Sequence, residues 1–342
     1  MEPIKIVGVT GSPYSRKMRS ILRYRRIPHV WIQRGSPEDR DLPPVAVDLM
    51  PVLVFPRGVG GAPESMIDST FQLRRLEAEY PDRSLLPPDP ALAFLDILLE
   101  DFADEWLTKA MFHYRWAFAP DIAKAAAILP RWFATEAAEE RQRKMGEAFA
   151  ARQIARRGII GSTPESAPML EGSYRRQLAL LARALEGQRF LFGARPSTAD
   201  FAFFGQLTQL AQFDPTPAAV ALQETPRVVA WVDVVEDLSG AEPSEADWVD
   251  RESGARRLAG LLGEVGRTYL PFLLANAAAA TTGAATLICE IDGHRYEQSP
   301  FPYQVKCLRW LREARAALKP ADRAWVDGVL ADTGCAALSA PA

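Results

Sequence analysis

The sequence predicts a small α/β domain, an all-helical second domain, and a mostly helical extension that contains a β-hairpin. Strand and helix patterns alternate over residues 1–84, whereas apolar residues recur three and four positions apart in several stretches of 91–239. In the last part, 240–342, an Asp-Gly pair separates two runs with alternating apolar residues, which is typical of a hairpin. The length of 342 residues is ample for this organisation.

The first domain is predicted from a β-α-β unit followed by a β-β-α unit. Strand patterns occupy 4–9, 29–33, 52–55 and 65–67, and helix patterns occupy 12–27 and 69–80. Ser12 suits a helix cap and Pro13 suits the first helical position, while Pro28 ends the first helix. The Pro-rich segment 86–90 then separates this domain from the next.

The second domain and the extension are predicted mainly from helical periodicity. Apolar positions predict one amphipathic helix over 91–116 and another around 178–185. Ser197 and Asp200 stand three residues apart before an apolar run, which predicts a capped helix. In the extension, the predicted elements are strands at 286–291 and 294–297 and helices at 303–318 and 321–330.

The composition disfavours several classes of protein. The net charge of −3 gives no broad attraction to nucleic acid. The three cysteines form no CxxC pair, so neither a zinc cluster nor a disulfide framework is expected. Residues 269–289 carry no charge, but they are rich in Ala, Thr and Gly, which favours a buried helix followed by a strand over a membrane span. With no basic leader, the chain is expected to be cytoplasmic.

Ser12, at a predicted strand-to-helix turn, is the first candidate for chemistry. Unpaired N–H groups and the helix dipole favour negative charge at such a turn, and a thiol bound there would be held as the nucleophilic thiolate. A serine cannot exchange disulfides, but its hydroxyl can donate a hydrogen bond to a thiolate supplied by a co-substrate. The plain alternative is that Ser12 only caps the helix.

Two further pairs of residues could complete a binding site. A cis bond between Met50 and Pro51, at the start of the third strand, would expose the Met50 backbone to a peptide ligand. Ser69 opens the next helix and could hold a carboxylate, while Asp68 could pair with an ammonium. The plain alternatives are that Pro51 only marks the start of a strand and that Ser69 only caps a second helix.

Together these motifs resemble the cytosolic glutathione transferases, in particular the classes that use a serine. The resemblance rests on the Ser-Pro-Tyr-Ser turn at 12–15 with Arg19, on the proline and acidic-Ser positions above, and on the spacing of Ser197 and Asp200. It covers roughly residues 4–235. It implies a thioredoxin-like first domain, an all-helical second domain, and glutathione as co-substrate with no metal.

The resemblance also assigns roles to individual residues. It implies that Ser12 activates the glutathione thiol and that the backbone of Met50, before a cis Pro51, pairs with the cysteinyl unit. It implies that Asp68 and Ser69 contact the γ-glutamyl end. A homodimer is implied as well, in which the first domain of one subunit packs against the helical domain of its partner.

The sequence departs from the family pattern in several places. An insertion is expected near 117–170, and the extension 240–342 lies outside the common fold and could cover the dimer surface. The acidic residue is Asp68 where Glu is commoner, and Ser15 is a second hydroxyl close to Ser12. For the acceptor substrate, the candidate pocket residues are aromatic side chains of the first long helix: Phe112, Tyr114 and Trp116.

The leading hypothesis is therefore an enzyme that activates the glutathione thiolate for attack on a small, electrophilic, apolar substrate. Conjugation, reduction and isomerisation all remain open as the reaction. The alternative is a non-catalytic glutathione-transferase-like binding or scaffold protein, suggested by the extension. A glutaredoxin-like oxidoreductase is disfavoured because no cysteine occupies position 12 or 15.

Overall fold

The structure is a computed structural model that describes residues 2–58 and 61–340. The chain begins with a four-stranded sheet and two helices. The strands are β1 (Ile4–Gly8), β2 (His29–Gln33), β3 (Val52–Phe55) and β4 (Glu64–Met66), and the helices are α1 (Pro13–Tyr24) and α2 (Ser69–Glu79). Arg26 has a φ of 52°, which ends α1 before Pro28 is reached.

The order of strands in this sheet is β2-β1-β3-β4. β1 and β2 run parallel, with Ile6 opposite Trp31, while β3 pairs antiparallel with both β1 and β4. Every residue of β3 is buried, because this central strand has neighbours on both edges and cover on both faces. The small mixed sheet confirms the predicted thioredoxin-like first domain.

Among the described residues, eight α-helices lie between the linker and residue 240. They are α3 (Pro90–Phe102), α4 (Thr108–Ala117), α5 (Ala119–Ile128), α6 (Glu139–Ala155), α7 (Ala167–Ala184), α8 (Thr198–Leu207), α9 (Pro215–Glu224) and α10 (Pro226–Val235). The predicted single helix over 91–116 is interrupted, because a π-helical turn at Ala103–Leu107 separates α3 from α4. The predicted insertion contains α5 and α6, which pack so closely that a Cβ added at Gly146 would lie 2.0 Å from the Ala126 carbonyl oxygen.

The extension is mostly helical and contains the predicted hairpin. Its elements are α11 (Arg251–Glu264), α12 (Leu270–Thr282), β5 (Leu287–Ile291), β6 (His294–Gln298), α13 (Pro302–Ala316) and α14 (Pro320–Asp332). The two-residue turn needs positive φ at both positions, and Asp292 at 50° and Gly293 at 76° supply it. Within the described residues, no helix is long and apolar enough to cross a membrane.

The three parts share one hydrophobic core. α1 lies directly on α8, where a Cβ added at Gly205 would be 2.7 Å from the Pro13 carbonyl oxygen. The extension is joined to the helical domain by polar contacts as well, since Arg176 donates to both carboxylate oxygens of Glu264 at 2.8 and 2.9 Å. The elements that carry the candidate site are therefore fixed to one another by packing.

Candidate active site

Ser12 is the N-cap of α1. Its backbone is extended (φ −95°, ψ 119°), and its Oγ accepts a hydrogen bond from the Ser15 N–H at 3.2 Å. The side chain is partly exposed, so the Oγ–H remains able to donate to a ligand at the helix N-terminus. The helix-cap role and the chemical role are compatible, because the cap uses the hydroxyl as an acceptor and the thiolate would use it as a donor.

Ser15, the second hydroxyl of the same turn, is fully buried. Its Oγ faces the sheet, where a Cβ added at Gly8 would approach it to 2.4 Å. Position 8 therefore requires glycine, because any larger residue would collide with Ser15, which lies beneath β1. Of the two serines, Ser12 is the one whose side chain is partly exposed.

The loop before β3 and the start of α2 lie together. The Met50–Pro51 peptide bond is cis. Gln72, on α2, donates from Nε2 to the carbonyl oxygens of Pro51 at 2.8 Å and Met66 at 2.7 Å, which ties this loop to the end of β4. Asp68 has a φ of 74° and caps α2, with its Oδ1 accepting from the Thr70 N–H at 3.1 Å.

These residues border a cavity of about 330 Å³ between the first domain, the helical domain and the extension. The lining residues are Tyr14, Leu49, Met50, Asp68, Ser69, Thr70, Asp101, Asp104, Glu105 and Tyr303. Three of the predicted site residues, Met50, Asp68 and Ser69, therefore meet in one cavity. Ser12 stands outside the lining, two residues before Tyr14, and Pro51, next to Met50, is buried.

The wall of this cavity opposite α2 is acidic. Burial raises the pKa of the Asp101 carboxyl to about 7, and burial together with the nearby Asp101 raises the pKa of Glu105 to about 7. Asp101 accepts a hydrogen bond from the Tyr269 hydroxyl at 2.6 Å. Burial also keeps the pKa of the Tyr14 phenol well above its ordinary value, so this hydroxyl is a neutral donor, bonded to the Asp104 carbonyl oxygen at 2.9 Å.

The aromatic residues predicted for the acceptor pocket lie elsewhere. Tyr114 and Trp116 are each 2% exposed, and Phe112 packs beside Trp116 with ring centroids 6.3 Å apart. None of the three is among the residues that line the cavity. Their role in binding an acceptor stays a prediction.

Two family models match the chain in order along the sequence. The model for the glutathione S-transferase N-terminal domain matches residues 6–84, and the model for the glutathione S-transferase C-terminal domain matches residues 133–234. The chain belongs to the glutathione S-transferase family. The two matches together span more than half of the 342 residues and leave out 1–5, 85–132 and everything after 234. No curated protein matches the chain significantly.

Several solved glutathione transferase structures are distantly similar. A family member from Pseudomonas fluorescens pf-5, with two glutathione bound, is 19% identical over 69% of this chain and 93% of its own, with a TM-score of 0.41. A glutathione S-transferase from Methylobacterium radiotolerans, in complex with glutathione sulfonate, is 22% identical over 72% and 95%, with a TM-score of 0.39. One from Ceriporiopsis subvermispora, in complex with glutathione, is 15% identical over 71% and 100%, with a TM-score of 0.44.

In this glutathione S-transferase family member, the cavity residues Asp101, Asp104 and Glu105 lie outside the family matches, and so do two further residues that contact the candidate site. Trp132, from the short helix Pro130–Trp132, covers the backbone beside Ser12, because a Cβ added at Gly11 would lie 2.4 Å from its ring. Tyr303, in the extension, donates from its hydroxyl to Asp68 Oδ2 at 2.9 Å. No local pattern signals these contacts, since Tyr303 and Asp68 stand 235 positions apart.

No group of three or more His, Cys, Asp or Glu side chains within residues 2–58 and 61–340 is arranged to hold a metal ion. The three cysteines are free thiols. Burial raises the pKa of the Cys289 thiol to about 11, and it raises that of Cys335 to about 11 as well. Neither thiol is therefore poised as a nucleophile near neutral pH.

The acidic wall gives this transferase family member a predicted pH dependence of stability. Between pH of about 4 and about 7, folded Asp101 and Glu105 hold protons that the unfolded chain releases. The free energy of unfolding therefore falls as the pH rises through this window, by up to about 1.4 kcal/mol per pH unit for each group. Thermal unfolding is expected to give a lower Tm at about pH 7.5 than at about pH 5.5.

Asp101→Asn, which cannot ionise, should reduce this difference in Tm. Asp250→Asn is the control, because hydrogen bonds from the Ser253 backbone and side chain lower the pKa of the exposed Asp250, which stays ionised throughout the window. A difference in Tm that is the same in the unaltered chain and in Asp101→Asn would contradict the prediction.

Proposed function

We propose that this chain binds glutathione in the cavity between α2 and the helical domain and that Ser12 stabilises the glutathione thiolate, as in serine-type members of the family. The thiolate then attacks an electrophilic centre of a small, apolar acceptor. The observation that carries the proposal is the meeting of Met50, Asp68 and Ser69 at one cavity, beside the N-terminal turn of α1.

The cavity offers complementary groups for both ends of a γ-glutamyl unit. Asp68 presents a carboxylate to an ammonium, and two of its lone pairs remain after the bonds from Thr70 and Tyr303. Ser69 and Thr70, at the start of α2, line the same cavity, and a helix N-terminus favours a carboxylate. Met50 can supply backbone groups to the cysteinyl unit.

The proposed chemistry follows from the position of Ser12. The Ser12 hydroxyl donates a hydrogen bond to the sulfur, and the N-terminal end of α1 adds a favourable potential for negative charge. Both effects lower the pKa of the bound thiol, which loses its proton to solvent. The sulfur lone pair then forms the new bond to the acceptor, and a bond to a leaving group or a π bond of the acceptor breaks.

Calorimetric titration with glutathione tests the binding part of the proposal. We expect saturable binding, and a several-fold higher Kd for Ser69→Ala, because the hydroxyl of this helix-initial residue is lost from the carboxylate subsite. Gln153→Ala is a control on α6, outside the cavity lining, and should leave the Kd unchanged. No binding at millimolar glutathione would refute the proposed function.

Ser12→Ala tests the catalytic part. Turnover of an electrophilic acceptor is expected to fall by about 100-fold while the Kd for glutathione stays nearly unchanged, because the lost hydrogen bond acts on the thiolate. The pKa of the bound thiol, followed by thiolate absorbance, should rise. Ser15→Ala removes the same atom from a buried position facing Gly8 and serves as the matched control.

The alternative of a non-catalytic binding or scaffold protein also has an observation in its favour. Trp132 covers the Gly11 backbone beside Ser12, and the extension borders the other end of the cavity. Both elements add bulk beside the candidate site, where an acceptor would have to approach the sulfur. This alternative would be favoured if the unaltered chain and Ser12→Ala bound glutathione with the same Kd and neither turned over any acceptor.

The proposal also includes a cytoplasmic location and a homodimer. Within one chain, Trp310 of α13 already packs edge-on against Phe71 of α2 with ring centroids 4.9 Å apart, and Arg251 of α11 pairs with Asp89 at 2.6 Å. A homodimer would therefore use a surface that the extension leaves free. Sedimentation equilibrium distinguishes a dimer from a monomer.

A further inference from the structure

We infer that Tyr303 in the C-terminal extension is a positioning residue for the ammonium group of glutathione, acting through Asp68. This inference rests on the proposed function and adds to it a subsite residue from a part of the chain that neither family model covers. It makes the extension part of the binding site.

The first observation is the hydrogen bond from the Tyr303 hydroxyl to Asp68 Oδ2 at 2.9 Å. Asp68 Oδ1 already accepts from the Thr70 N–H at 3.1 Å, so each carboxylate oxygen has one donor from the chain. A carboxylate held at both oxygens has a fixed plane and loses little freedom when an ammonium binds its remaining lone pairs. The bond from Tyr303 thereby orients the lone pairs before the ligand arrives.

The second observation is that α13 is held firmly at this place. Gln304 donates to Glu105 Oε2 at 2.7 Å, which joins the first turn of α13 to the acidic wall. The rings of Tyr303 and Trp310 meet edge-on with centroids 5.9 Å apart, and Trp310 packs in the same manner against Phe71. Tyr303 is thus fixed by a neighbour on its own helix and, through that neighbour, by α2.

The third observation is that Tyr303 borders the cavity and leaves it open. Tyr303 lines the same volume of about 330 Å³ as Met50 and Ser69. The side chain is a wall of the subsite, and room for a ligand remains in front of it. This arrangement favours support of Asp68 over competition with the ammonium for it.

Tyr303→Phe tests the inference, because it removes the hydroxyl and keeps the ring that packs on Trp310. We expect the Kd for glutathione to rise about five- to tenfold. For glutaryl-cysteinylglycine, in which hydrogen replaces the α-amino group, the unaltered chain and Tyr303→Phe should bind within about twofold of each other. Tyr296→Phe removes a hydroxyl bonded to Ile160 and Gln298 elsewhere in the extension and should not change either Kd.

Equal or tighter glutathione binding by Tyr303→Phe would overturn the inference, since the hydroxyl would then be neutral or competing. An equal loss for both ligands would also overturn it, because Asp68 and the ammonium would not be involved. If the unaltered chain binds glutathione and Ser69→Ala weakens it while Tyr303→Phe does not, only the role of Tyr303 fails. If the unaltered chain binds no glutathione, the proposed function fails first and this inference with it.

Discussion

Replacing Lys17 with methionine is expected to lower the free energy of unfolding by about 3–5 kcal/mol. The ammonium of Lys17 is fully buried and lies 2.6 Å from both Glu100 Oε1 and Asp104 Oδ2. Burial by itself lowers the pKa of Lys17, but the two carboxylates outweigh it and raise the pKa above its ordinary value. Without the ammonium, two acidic groups would remain buried side by side with no cation between them.

Urea unfolding monitored by tryptophan fluorescence measures this loss. The control is the triple variant Lys17→Met, Glu100→Gln, Asp104→Asn, which removes all three charges together. Because the cost arises from uncompensated buried charge, the triple variant should recover much of the stability lost in the single variant. A single variant that loses less than about 1 kcal/mol would show that the ion cluster contributes little.

Replacing Asp200 with alanine is expected to cost about 3 kcal/mol of unfolding free energy. The buried Asp200 carboxylate accepts three hydrogen bonds, from the Leu191 N–H at 3.0 Å and from the N–H and Oγ of Ser197 at 2.9 Å each. Burial raises the pKa of Asp200 to about 6, so the group is ionised at about pH 7.5. Alanine would leave all three donors buried without an acceptor.

The chain contains a matched control for this effect. Ser244 and Asp247 form a second capping box of the same spacing, and Ser244 is exposed. Asp247→Ala should cost less than about 1 kcal/mol, because water replaces the lost acceptor. Equal losses of stability in the two variants, measured by urea unfolding at the same pH, would contradict the explanation from burial.

The family, the order of the elements and several residues of the candidate site could be predicted from the sequence. The Ser197-to-Asp200 spacing gave the capping box, and the Asp-Gly pair at 292–293 gave the hairpin, because both depend on residues within three positions of one another. Met50, Asp68 and Ser69 are candidate site residues by their local patterns, the family resemblance assigns their roles, and the structure brings them to one cavity.

Other features could not be predicted in this way. The π-helical turn at Ala103–Leu107 leaves no clear mark on the apolar periodicity of its helix. The position of Ser15 under Gly8 distinguishes it from Ser12, although both are serines of one turn. Lys17 fits a solvated helix face by sequence, yet it is buried against carboxylates more than 80 residues away.

The sequence by itself determined the caps, turns and strands of this protein, because backbone conformation and short-range hydrogen bonds depend on neighbouring residues. Only the tertiary structure decided what surrounds the cavity. Tyr303 bonds Asp68 across 235 positions, and Trp132 covers Gly11 across more than 100. Such contacts depend on how the helices pack, and many buried side chains together set the orientation of the helices. No local sequence pattern can therefore predict these contacts.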